Sequence, residues 1–116
     1  MKKFIAVYLG TSSALEKWKA MDEETRKQKE KQGVEAWRQW AMDNAKSIVD
    51  MGNPLGKTKR ISAQGISDTR NDLTAYTIVQ ADSYEAAARL FENHPHFTIF
   101  PGESVEVMEC LPIPGM

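Results

Sequence analysis

With 116 residues, 41% of them hydrophobic and 27% charged, the chain has the length of one domain, residues 1–116, and the balance of a globular protein rather than a disordered one. A net charge of −1 provides no basic surplus of the kind that neutralising a phosphate backbone requires, which argues against nucleic acid as a partner. The single cysteine, Cys110, excludes an intrachain disulfide framework, and no apolar run approaches the roughly 20 residues that cross a bilayer, so a cytoplasmic location without a membrane partner is expected.

The N-terminal stretch MKKFIAVYLG has only a short apolar run, followed at once by charged residues and by no small-residue cleavage site, so it reads as a strand rather than a signal peptide. Its near-continuous β-formers suit a strand that is central in a sheet. In TSSALE, Ser13 stands three residues before Glu16, the spacing of a capping box, and a helix carrying Leu15, Trp18 and Met21 is expected to start there. DEETRKQKEKQ has no apolar residue and must lie in solvent on its charge pairs. Beyond Gly33, residues Val34, Trp37, Ala41 and Ile48, flanked by Trp40, Ala45 and Met51, fall on one helical arc with Asn44 at its centre. That long helix is expected to end at Gly52 in a left-handed cap, with Pro54 just after it.

KTKRISAQG then reads as an edge strand with its charges on one side. SDTRND reads as turn sequence, and LTAYTIVQA as a buried strand. The two strands are expected to pair as a hairpin with a long tip. In ADSYEAAARLFENHP a helix capped by Asp82 or Ser83 presents Ala86, Ala87, Leu90 and Phe91 on one face, and Pro95 stops it. ESVEVME alternates Val105, Val107 and Glu109 against Glu106, Met108 and Cys110.

The order strand, long helix, strand, strand, helix, strand is the split βαβ arrangement, a ferredoxin-like α+β fold with a four-stranded antiparallel sheet and helices on one face. Apolar residues nevertheless occupy both sides of the strands, as in Val7 with Tyr8 and Ile78 with Val79. A second copy covering the open face, a homodimer, is therefore expected.

FENHPHFTIFPG holds both histidines of the chain, His94 and His96, among phenylalanines and prolines. As zinc ligands they would need a third protein ligand such as Glu92 or Glu109, and no helical spacing supports the set, so no metal is expected. As an acid or base, an imidazole beside Phe97 and Phe100 would be tuned in opposite directions by burial and by a carboxylate. The plainer reading has His94 bonding carbonyls at the helix end and His96 packing at the strand entry. Alternation through PHFTIFPG would anchor Phe97 in the core and turn His96 toward a cleft within reach of a carboxylate. Trp37, Trp40, Asn44, Tyr76 and Glu109 would line a ligand cavity if the long helix lies over the sheet, although two tryptophans at helical spacing are more often core. Cys110 has no basic neighbour in sequence and reads as an inert thiol. GNPLGK lacks the glycine spacing of a phosphate-binding loop, and no cofactor is expected.

The element order together with the tail ADSYEAAARLFENHPHFTIFPGESVEVMECLPI resembles the YCII-related proteins, closest to a branch carrying WRQWA, GNPLG and HPHF. That resemblance spans essentially the whole chain and implies a dimeric α/β barrel of the ferredoxin-like type. It also implies a histidine and aspartate pair between sheet and helices. Here, however, the segment after the third strand is ADSYEAA, only Asp82 matches its aspartate, and both histidines follow the second helix. Two functions remain open: a small-molecule-binding protein or minor enzyme with a pocket between long helix and sheet, or a non-catalytic structural or regulatory dimerisation module.

Overall fold

In the computed structural model, which describes residues 1–116, the elements in chain order are β1 (Lys2–Leu9), α1 (Ser12–Lys19), α2 (Glu23–Asp43), β2 (Ile48–Asp50), β3 (Thr58–Ser62), β4 (Gly65–Thr69), β5 (Leu73–Ala81), α3 (Tyr84–Arg89), α4 (Pro95–Thr98) and β6 (Ser104–Glu109). Four strands form one sheet in the order β2, β5, β1, β6, with every neighbouring pair antiparallel. That order, with a helical connection after the first and third of its strands, is the ferredoxin-like α+β fold.

Phe4, Ala6, Tyr8 and Val79 alternate onto the helix-bearing face and are buried against Trp40, Ala87 and Phe91. Trp40 seals this core, its indole Nε1–H donating to the Leu90 carbonyl at 2.7 Å and so tying α2 to the end of α3. The opposite face, with Ile5, Val7, Tyr76 and Ile78, is only half-buried because no helix lies over it.

Local signals explain where the helices begin. Thr11, not Ser13, caps α1, its hydroxyl accepting from the Ala14 amide at 3.2 Å. Asp22 caps α2 through the Thr25 amide at 3.1 Å, and Glu23 and Glu24 add favourable charge to the first turn. Ser83 rather than Asp82 caps α3.

Three expectations from the sequence are corrected. The long helix stops at Asp43, well before Gly52. Asn44 occupies its C-cap, and the β-branched pair Ile48 and Val49 goes instead to the sheet edge, where Ile48 pairs with Val79. Ile48 still packs on the core, so the helical arc named a correct burial but the wrong element. The strand expected from KTKRISAQG does not join the sheet. It folds on GISDT, with Ile61 opposite Ile66, in a separate hairpin that leaves those isoleucines 72% and 74% exposed. Finally, PHFT is a helical turn with Pro95 at its start, not an extended loop. Alternation therefore does not apply: His96 is buried and Phe97 is 38% exposed, the reverse of the expected arrangement.

Candidate functional site

The site is built on the turn between α3 and β6. Asn93 takes a positive φ of 56°, which swings the chain out of the helical path, and Pro95 holds His94 extended at φ −63° and ψ 141°. The His94 ring then folds back as the cap of α4, its Nδ1 accepting from the His96 amide at 3.0 Å. Since Nδ1 accepts, the neutral ring carries its proton on Nε2, and that buried atom has no hydrogen-bond partner. Aromatic rings surround it, with Trp37 at 4.4 Å and 90° and Trp40 at 4.6 Å between centroids. Burial, and then the neighbouring His96, push the His94 pKa from 6.5 down to about 3.

His96 reaches the other way, to the end of β1, where its Nε2 lies 2.8 Å from the Leu9 carbonyl and donates to it. Burial lowers its pKa, and the Leu9 and Ser104 carbonyls partly oppose the shift. The ring packs against Gly102, where any side chain would overlap it. Beside it, Tyr8 is fully buried and its hydroxyl sits 2.8 Å from Thr77 Oγ1, while Thr77 donates to the Met51 carbonyl at 2.9 Å. The Thr77 proton is thus committed, so Tyr8 donates. Burial raises the Tyr8 pKa from 10.0 to about 12, which keeps the phenol neutral.

In front of these groups lies a cavity of about 460 Å³, between α2 and the β2–β5 edge of the sheet. Its walls are almost wholly apolar. Trp37 and Val34 come from α2, Tyr8 from β1, Phe100 from the turn before β6, and Met51 and Pro54 from the loop after β2. Gly33 makes room for the Phe100 ring, since a methyl group there would stand 2.5 Å from it. The ring is therefore held close against α2 where it borders the cavity.

Of the residues expected to converge, Trp37, Tyr76 and His96 border this cavity, and Trp40, Asn44, His94 and Glu109 do not. Trp40 and His94 stand behind the wall as core. Asn44 is half-buried and spends its amide on the Trp40 carbonyl at 2.9 Å, an interaction internal to the end of α2. Glu109 pairs with Phe4, whereas Tyr8, beside His96, pairs with Val105, so the carboxylate lies at the far end of the sheet from the histidine. No carboxylate partners either imidazole, and no three His, Cys, Asp or Glu side chains converge as metal ligands. The sequence reading missed Tyr8 and the Met51–Pro54 loop, and it placed Phe100 only beside the histidines. Gly33 and Gly52 were the available signals, since each marks a place where another group comes close to the backbone.

No family model matches the chain, and no curated protein matches it. Among solved structures it is similar to 5-chloro-2-hydroxyhydroquinone dehydrochlorinase (TftG) from Burkholderia phenoliruptrix AC1100, in complex with 2,5-dihydroxybenzoquinone, with a TM-score of 0.53, 14% sequence identity, and 91% of this chain and 90% of that chain covered. At that identity the likeness concerns the fold.

Proposed function

We propose that this protein binds a small organic molecule in the cavity between α2 and the sheet. The observation that carries the reading is an apolar cavity of about 460 Å³, within the size range of small-molecule sites, whose wall includes a buried histidine. The solved neighbour holds a small ring compound, which adds support from the same fold. In this reading His96 supplies a fixed polar edge, and His94 positions it by capping α4. No helix of the chain is long and apolar enough to cross a membrane, and a cytoplasmic location and membership of the YCII-related group form part of the same proposal.

The test is fluorescence titration with a neutral planar probe, 2-naphthalenemethanol. Trp37→Ala is expected to weaken binding about tenfold or more, about 1.4 kcal/mol, while Trp18→Phe, outside the cavity wall, leaves it unchanged. Equal affinity in wild type and Trp37→Ala would refute the site.

A second reading rests on a different observation, the open sheet face with Ile5, Val7 and Ile78 half-buried and Met108 exposed. It supports a homodimer packed face to face across the sheets, burying on the order of 1,200–2,000 Å². Wild type is then expected at twice the 13.1 kDa chain mass in sedimentation at micromolar concentration, and Ile78→Asp at the single-chain mass. A monomeric wild type would end this reading.

A further inference from the structure

We propose that the ligand of the α2–sheet cavity is a planar aromatic carboxylate whose acid group is held by Arg38. This inference rests on the cavity being a binding site, and it adds the chemistry of the occupant. Arg38 is the one charged residue on the cavity wall; no Asp or Glu borders it. A buried cation would find no counter-charge there, whereas a monoanion would find one. A phosphate dianion would bring two charges to a single guanidinium and leave one of them against apolar walls, so the match is to a carboxylate.

Arg38 is available for this role. It lies one residue after Trp37 on α2, and its present partner is Glu35 at 2.8 Å, three residues earlier on the same helix, with both side chains more than 60% exposed. Such an exposed pair contributes little to stability, and that contact uses one of the five guanidinium N–H donors. The remaining donors can turn to a carboxylate at the cavity mouth without breaking the pair.

The interior selects for flat rings. Trp37, Tyr8 and Phe100 all border the cavity, and aromatic walls favour edge-on and offset contacts with an inserted ring. The hydrogen-bond donors of Tyr8 and His96 are already committed, to Thr77 and to the Leu9 carbonyl. A carboxylate placed beside them would therefore go unpaired, so the acid belongs at the Arg38 end and the ring inside.

Calorimetric titration of the intact protein with 2-naphthoate, 2-naphthalenemethanol and decanoate tests each part. Expected is binding of 2-naphthoate at least tenfold tighter than of 2-naphthalenemethanol and of decanoate. Arg38→Gln should abolish the preference over the alcohol by weakening naphthoate alone, and Arg38→Lys should retain part of it. Equal affinities for naphthoate and the alcohol in wild type, or a preference that survives Arg38→Gln, would overturn the anion anchor while leaving the cavity a binding site. Decanoate binding as tightly as naphthoate would overturn the aromatic assignment. Binding of none of the three would overturn both this inference and the binding-site reading it rests on.

Discussion

Replacing Gly52 by alanine is expected to destabilise the protein by about 3 kcal/mol or more. Two costs add. Gly52 has φ +72°, where a Cβ costs about 1–2 kcal/mol, and the added methyl would overlap the Tyr76 carbonyl oxygen. That overlap is with backbone inside a sheet and cannot be relieved by a rotamer change. Gly52 also donates its amide to Asp50 Oδ1 at 2.9 Å, so moving it disturbs the end of β2. Since Met51, Gly52 and Pro54 all border the cavity, the same substitution should weaken probe binding beyond what the lost stability explains. Urea denaturation at neutral pH measures the first effect. A loss below about 0.5 kcal/mol, within the range of ordinary surface substitutions, would mean that the loop is not held as described.

Acid is expected to unfold this protein through its buried histidines. The unfolded chain protonates His94 near the ordinary 6.5, while the folded chain resists until about 3. Between those values the unfolded state binds more protons, so stability is full above about pH 6.5 and falls as pH decreases toward 3. One such group costs about 1.4 kcal/mol per pH unit inside the window. His96, also lowered by burial, acts in the same direction. His94→Asn separates the contributions, since an amide oxygen can still accept from the His96 amide but does not titrate. The variant is expected to be about 1–3 kcal/mol less stable at pH 7 for the lost ring packing, and to show a shallower loss of stability between pH 6.5 and 4. Wild-type stability that stays flat across that interval, or an unchanged slope in His94→Asn, would contradict the neutral buried imidazole.

The sequence by itself determined the strand content of KFIAVYLG, LTAYTIVQA and SVEVME and the solvated first half of α2. Each follows from forces acting within a few residues: β-branched and aromatic runs, and absence of apolar side chains. The stop expected at Pro95 was not what ended α3, which closes at Arg89, and Pro95 opens α4 instead. The ferredoxin-like order followed from those elements, although the sequence reading put KTKRIS where β2 belongs. Which segment takes the sheet edge is a competition between distant chain pieces. Ile48 gains ladder pairing and core contact from β5, whereas KTKRIS has a nearer partner in GISDT across the two-residue turn before Gly65, whose φ is +110°. Local pattern ranks neither option, because hydrophobic periodicity reports which residues are buried and not what buries them.

The candidate site divides in the same way. The crowding of His94, His96, Phe97 and Phe100 into one corner was visible in the sequence, as was Trp37 on the long helix. That His96 is buried and Phe97 partly exposed was decided by one helical turn, Pro95–Thr98, that reverses the alternation expected of an extended chain. The contributions of Tyr8, Gly33 and the Met51–Pro54 loop arise from contacts between residues far apart in the chain, such as Tyr8 with Thr77 and Gly33 with Phe100. Pairing of β1 with β5 brings the first pair together and the packing of α2 the second, and so only the tertiary structure turned a histidine-rich corner into the wall of a cavity.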